Sequence, residues 1–526
     1  MNPKNWIMIT SSSSPETFAI MTNDRIAWTC TCFCILIASV AAAVILLYNK
    51  TKKQERQQQL KPLPLPPMAP YTFLQIVHHL TGPDLPWFFL RISRAPNIGP
   101  IFRIQMHPLS SLFGRIITAN NNCNWGPTFV VTADAKLAQM VLRDSANYKH
   151  PCVYGRFEKV GGRSIFSTEG ARWHHARKAV SPAFHSKQIA RMNEVVSCQI
   201  RQWMDNTFTP LYVNTGTPFD PSEELLRQML KGISLAGFDY TISEEEVEMV
   251  LLEISIAFRE ILAQSINPLR DKFSAFHAAG RRMMLSSARA HKFAQSVLDH
   301  YRRRSNSMNS TIISEHHNNM IISMIANNDQ YQSDDERCSD IISFYIAGHD
   351  TTAYTLAWIL LELARNPAEQ SRLREALRRA SVDDRIHTPE LKHVIKEGMR
   401  LHPVGTNIWR TLDKNITTED YSIPKGAHIS IATLSIQRNA EYFEDPDEFR
   451  PSRWEDPSDA ALSAFLPFAL GRRNCVGQSL AYAELYNTLA ILLVDHEFRV
   501  VDEGRVDYFV TLKPIGVKLI VNKVEQ

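Results

Sequence analysis

From Ala27 to Tyr48 the chain reads AWTCTCFCILIASVAAAVILLY without one charged side chain, and a helix of that length spans roughly 33 Å, enough to cross a bilayer core. Lys50, Lys52, Lys53 and Arg56 follow it, so the positive-inside bias places everything C-terminal in the cytosol. Ala41, Ala42 and Ala43 resemble a signal-peptide cleavage site, but the apolar run is longer than the core of such a peptide, and Glu16 and Asp24 precede it. An uncleaved, single-pass anchor in the endoplasmic reticulum membrane is the expectation, with organelle targeting through Ser11–Ser14 as the alternative. Five prolines in Lys61–Pro70 then favour extended polyproline geometry and predict a stiff strut. The stretches FRIQMH and TFVVTADA, between Gly99 and Ala135, predict two strands joined by a long polar connection through Asn120, Asn121 and Asn122. From about Leu137 to Arg400 apolar positions recur with helical spacing.

The resulting fold class is mainly α with minor β (α+β), one large helical body carrying small sheets. Its expected parts are a short non-cytosolic segment (1–26), a transmembrane signal-anchor (27–48), a basic and proline-rich hinge (49–70) and the body itself (71–526). Length alone suggests three or four domains, yet there is no internal repeat and no second long linker. Composition supports a large buried core: 44% of residues are apolar, 9% aromatic, and glycines number only 20, which excludes collagen-like, low-complexity and wholly disordered chains. Lys+Arg 58 against Asp+Glu 54 leaves +4, too balanced for a protein that coats nucleic acid. The 8 cysteines are scattered without a CxxC pair, the usage of a reducing compartment rather than of a disulfide framework or a zinc site.

Four constellations carry chemistry. In FLPFALGRRNCVGQSLAYAE (Phe465–Glu484) a loop rich in Gly and Arg enters a helix near Val476, so Cys475 meets unpaired backbone N–H groups, the positive end of a helix dipole and Arg472 and Arg473. That setting favours a thiolate, the form that binds metal. The second constellation is a long helix from about Asp334 to Arg365, opened by Ser333 and Glu336 at capping-box spacing and closed by Asn366-Pro367. It contains AGHDTT (Ala347–Thr352), poor helix formers whose Thr hydroxyl can bond back to a carbonyl one turn earlier. The third is KEGMRLHP, with Glu397 and Arg400 three apart, together with Phe449, Pro451 and Arg453 further on. The fourth is GARWHHARK, where Trp173 and Arg177 lie four apart on one helix face.

Phe468, Gly471, Arg473, Cys475 and Gly477 supply F-x-x-G-x-R-x-C-x-G, which closely resembles the heme-binding loop of the cytochrome P-450 superfamily. By that resemblance Cys475 is the axial thiolate of heme iron, and AGHDTT is similar to the family's oxygen-binding segment, with Asp350 and Thr351 matching its acid–alcohol pair for proton delivery. Trp173 and Arg177 match the family's W-x-x-x-R, whose side chains donate to a heme propionate, and Arg410 and Arg473 match further propionate-pairing arginines. Glu397, Arg400 and Arg453 resemble a buried structural network that holds the cysteine loop. The resemblance runs from about Pro62 to the C-terminus and looks microsomal and eukaryotic, with two departures: a longer connection at His107–Trp125 and a shorter passage at Ala376–Leu391.

What the resemblance implies is a monooxygenase that uses heme iron and O2 to oxidise a lipophilic small molecule; a heme-thiolate isomerase or dehydratase, or a non-catalytic heme binder, is the alternative. Without a Walker A loop, a GxGxxG at a strand–helix junction or an HExxH, electrons are expected from a separate NADPH-dependent reductase. The expected substrate walls are Pro151–Phe166, Phe219–Ile242, Phe344–Gly348, Val404–Ile408 and Phe509–Thr511. Arg172, Lys178 and Arg472 are the expected basic surface for the electron donor.

Overall fold

The structure is a computed structural model that describes residues 64–71, 84–105, 128–266, 270–271, 273–307 and 320–525. The expected anchor, Ala27–Tyr48, and the connection His107–Trp125 lie outside the described residues. Among those described, no helix is long and apolar enough to cross a membrane.

Helices begin where a short polar side chain can take up free backbone N–H groups. After α1 (Leu85–Ser93) and the strands β1 (Ile101–Gln105) and β2 (Thr128–Thr132), Asp134 caps α2 (Ala135–Arg143) by accepting from Leu137 N at 2.6 Å. The two-residue strand β3 (Tyr148–Lys149) leads into α3 (Pro151–Gly161), α4 (Gly170–Val180) and α5 (Ser186–Trp203). Asp220, with Pro221 behind it, opens α6 (Pro221–Phe238), and α7 (Glu244–Ile266), α8 (Ala278–Ser307) and α9 (Ile321–Ala326) follow. The expected long helix is α10 (Asp334–Arg365), capped by Ser333, which accepts from Glu336 N at 3.3 Å. The second half of the expected capping box is displaced by one residue: Glu336 Oε2 accepts from Gln332 N instead of Ser333 N.

α10 is buried along most of its length and forms the axis of the larger hydrophobic core. α6 crosses it so closely that a Cβ on Gly348 would stand 2.9 Å from Ile233 Cγ1. After α11 (Pro367–Arg379), α12 (Pro389–Leu401) packs on α10 with similar closeness, since a Cβ on Gly398 would overlap Ile359. The passage between α11 and α12 is held by one short 3-10 turn, Arg385–His387.

The second, smaller core lies around a five-stranded sheet in the order β1-β2-β7-β4-β3, completed by β4 (Asn407–Thr411) and β7 (His428–Ala432), with β5 (Ile416–Thr417) and β6 (Ser422–Ile423) as a separate hairpin between them. β1 and β2, the two strands expected from FRIQMH and TFVVTADA, pair antiparallel. The end of the expected proline strut lies on this sheet: Arg103 N donates to Pro67 O at 2.8 Å and Ala69 N donates to Arg103 O at 2.9 Å. Residues 64–70 therefore extend the edge of β1. The short helices α13 (Thr433–Gln437) and α14 (Asp459–Ala464) precede the cysteine loop, and α15 (Gln478–Leu493) leaves it. The chain ends in β8 (His496–Asp502), β9 (Arg505–Tyr508), β10 (Leu512–Ile515) and β11 (Lys518–Lys523), paired β8 with β11 and β9 with β10.

Candidate active site

A cavity of about 530 Å³ opens between the middle of α10, through Ala347, Gly348 and Thr351, and the loop that carries Cys475. All five expected substrate walls reach it: Tyr154, Phe344, Val404 and Phe509 stand for four of them, and Ile233 alone for the fifth. Ile261 of α7 and Ile321 of α9 also line it, and no sequence signal singled them out.

The loop before α15 is shaped by backbone demands. Cys475 N donates to Phe468 O at 3.0 Å, closing the turn, and Gly471 takes φ +74 while a Cβ there would overlap the Leu142 carbonyl at the end of α2. Gly471 is thus a packing and turn residue outside the cavity wall, whereas Phe468, Cys475 and Gly477 line the cavity. Gly477 has no such internal demand: its φ is −85, and only Cys475 Sγ and Phe184, both at 3.9 Å, stand near an added Cβ. The space beside it is kept open.

Cys475 is exposed, yet the surface it exposes belongs to this internal cavity. Burial pushes its thiol up, against the Gly477 N–H and the Arg177 guanidinium, which pull it down. The thiolate expected from the helix start and the neighbouring arginines is therefore not favoured by the protein alone: Arg473 turns to the carboxylate of Glu169, and α15 begins only at Gln478. A bound cation is what would bring it to the anionic form.

At the cavity edge four cations meet one anion. Lys149 of β3 stands directly opposite Arg410 of β4 in the ladder, an arrangement of like charges that is unfavourable unless an anion joins it. Arg177 donates to Asn474 O and Asn474 Oδ1, both at 3.0 Å, and the Arg473 guanidinium lies 3.5 Å from the centre of the Trp173 ring. Glu169 accepts from Arg473 and, at 2.8 Å, from Lys149 N. Burial, then Arg473, draws the Lys149 ammonium down to about 7, while Glu169 resists. Trp173, Arg177, Arg410 and Arg473, expected together from sequence, do converge here; Lys149 was missed because nothing local in NYKHP marks it, and only the β3–β4 pairing brings it in.

These features fit a heme. Its iron would meet Cys475, its two propionates would answer the excess of buried positive charge, and its flat face would occupy the space beside Gly477.

α10 runs unbroken through AGHDTT. Thr351 lines the cavity and donates to Ala347 O at 2.8 Å, the back-bond its position predicts. Asp350 does not line it: buried behind the wall, Asp350 Oδ2 accepts from Thr511 Oγ1 at 2.6 Å and Oδ1 from Lys513 Nζ at 3.3 Å. Thr511 itself lines the cavity and links the two. Arg172 does not form the expected docking surface: its side chain is 15% exposed and donates to Asp340 at 3.2 Å. Asp340 also accepts from Tyr331 OH and Ile165 N, so Arg172 ties α4 to the start of α10. Lys178 and Arg472 remain exposed.

Glu397 and Arg400 are fully buried and paired in bidentate fashion at 2.8 Å, and Glu397 also accepts from Arg453 Nε at 2.9 Å, Arg450 N at 2.9 Å and Trp454 Nε1 at 3.0 Å. Arg400 in turn donates to the carbonyls of Gln437, Pro446 and Glu448. The network lies below the loop and touches no cavity residue through these bonds.

A family model described as cytochrome P-450 matches residues 101–520. Among curated relatives, cytochrome P-450 4F6 of Rattus norvegicus is 28% identical over 66% of this chain and 68% of that protein. Probable cytochrome P-450 508C1 of Dictyostelium discoideum is 35% identical over 32% of this chain and 37% of its own. Cytokinin hydroxylase of Arabidopsis thaliana is 26% identical over 69% of this chain and 72% of its own. With a match that takes in both the cysteine loop and the oxygen-helix segment, this chain belongs to the cytochrome P-450 family and is a heme-thiolate monooxygenase that draws electrons from a redox partner.

Proposed function

We propose that the chain inserts one oxygen atom from O2 into a lipophilic small molecule, with Cys475 as the residue that would hold heme iron. Electrons come from a separate NADPH-dependent reductase, and the body is held at the endoplasmic reticulum membrane by residues 27–48. The observation that carries this reading is the position of Cys475: its thiol opens into a largely apolar cavity whose far wall is Thr351 and whose edge is cationic.

Heme, when bound, supplies a redox iron able to activate O2. Lys149, Trp173, Arg177, Arg410 and Arg473 would hold the propionates, and Phe468 and Gly477 line the cavity beside Cys475, where the ring would lie. Phe344, Val404, Ile408 and Phe509 exclude water and present an apolar surface to the substrate, which selects for lipophilic molecules. Thr351 holds a hydroxyl at the α10 wall of the cavity, where it would serve proton delivery to oxygen, and Asp350 reaches the cavity through Thr511. The name of one relative, cytokinin hydroxylase, agrees with oxygen insertion as the reaction type.

The test is a reduced, carbon-monoxide-bound spectrum of the purified protein. A thiolate-type absorption band is expected in the parent and its loss in Cys475→Ala; a variant that keeps the band would overturn the assignment. Turnover against a panel of lipophilic compounds, reconstituted with the reductase, then identifies the substrate class.

A further inference from the structure

Glu484 is a buried carboxyl that the reading above leaves unused. It sits on α15, nine residues beyond Cys475, is 2% exposed and lines the same cavity. Its polar partner is Thr352, the α10 residue next to Thr351, whose Oγ1 donates to Glu484 Oε2 at 3.1 Å. Among the described residues it forms no ion pair, and the buried charged groups of α10, α11 and α12, which pack around α15, have other partners. On α10, Asp350 pairs with Lys513, Asp340 with Arg172, and Glu362 with Arg365 and His402, while the buried His349 ring bonds the Tyr345 carbonyl through Nδ1. On α12, Glu397 and Arg400 pair with each other. On α11, Arg374 donates to His496 O, and α5 meets α15 through Ser197 and Asn193, which bind Asn487. Of the cavity cations, Arg177 bonds Asn474 and Arg473 pairs with Glu169, while Lys149 Nζ donates to the carbonyls of Ile165 and Phe166 and Arg410 donates to Trp409 O.

We propose that Glu484 is the proton-accepting partner of heme reduction, taking up one proton from bulk solvent when the iron accepts one electron from the redox partner. The inference rests on the heme reading of the cavity. Reduction adds one negative charge to a dry site, and a carboxylate without a counter-cation on that wall then becomes the costlier species. The proton adds to a Glu484 carboxylate oxygen, so one electron and one proton enter together and the net charge of the site is unchanged. Burial raises this carboxyl to about 8, with the Thr352 hydroxyl opposing, so the exchange runs above that value, where the unreduced site still holds a carboxylate.

The consequence is a reduction potential that falls with pH between the oxidised-state and reduced-state pKa values of Glu484 and is flat outside them. One proton per electron corresponds to about 59 mV for each tenfold fall in proton concentration. Lys149, at about 7, faces the same cavity and is the competing carrier.

The experiment measures the potential of the purified holoprotein from pH 6 to pH 10 by spectroelectrochemical titration, in the parent and in Glu484→Gln, which keeps an acceptor for Thr352 but cannot titrate. A sloping profile in the parent that flattens in Glu484→Gln is expected. Identical sloping profiles overturn the role of Glu484 and leave Lys149 as carrier, a flat parent profile overturns it outright, and a parent without a thiolate-type heme spectrum overturns the reading beneath it. Thr352→Val is the second variant: loss of its hydrogen bond shifts the sloping window to higher pH, and an unmoved window sinks the proposal even if Glu484→Gln does not fold.

Discussion

Single residues at this site divide by what they touch. Gly471 and Gly477 look alike in the motif, yet Gly471 answers a positive φ and the Leu142 carbonyl, and Gly477 answers only open space. Asp350 and Thr351 are neighbours in sequence, but the helix turns them apart, Thr351 into the cavity and Asp350 against Lys513. On the proposed roles, Thr351→Ala removes the hydroxyl that holds a proton donor at the oxygen side while leaving the apolar walls intact. Product per NADPH consumed is expected to fall by about tenfold or more and hydrogen peroxide to rise in proportion, since positioned proton transfer contributes at least that much. Unchanged coupling, measured with a confirmed substrate, would remove Thr351 from the mechanism.

At the scale of elements, one buried network ties α12 to the turn Pro451–Trp454, in the segment that leads to the cysteine loop. Glu397 accepts five hydrogen bonds from four residues in a dry site, and bonds to Arg400, then the charges of Arg400 and Arg453, hold its carboxyl below the usual glutamate range despite burial. Because its folded pKa is depressed, its contribution is complete above the ordinary glutamate range and is lost as pH falls through the lowered value. Glu397→Gln leaves Arg400 buried without its anion, at a cost of about 3–5 kcal/mol. A matching drop in denaturation midpoint is expected, with loss of heme retention. A variant as stable as the parent would show that the network is dispensable.

For the whole molecule, the membrane proposal and the heme site are separable. Residues 1–53 carry the apolar run and three of the four basic residues that follow it, while the chain first joins the described sheet near Pro64 and Pro67. Removing residues 1–53 is expected to move most of the protein from the membrane pellet to the soluble fraction with its carbon-monoxide spectrum unchanged. Full retention in the pellet, or a mature N-terminus already cleaved after Ala43, would refute the anchor.

Much was readable in order along the chain because the interactions are local. The bounds of α10 follow from Ser333 and Asn366-Pro367, the strands β1 and β2 from their short β-rich runs, and the cysteine loop from the resemblance of its F-x-x-G-x-R-x-C-x-G spacing. The E-x-x-R pair is likewise a matter of three residues on one helix face. What only the tertiary structure decided are the facts that depend on distant segments meeting. Lys149 joins the cationic edge through a two-residue strand, Arg172 leaves the surface because Asp340 lies opposite, and the Cys475 thiol is raised because the walls around it exclude water. Glu484 belongs to the same class: its spacing from Cys475 is written in the chain, but its solitude beside Thr352 is a property of the packed interior. Local rules determine which elements form and where they stop, whereas charge balance and burial are sums over neighbours brought together by folding.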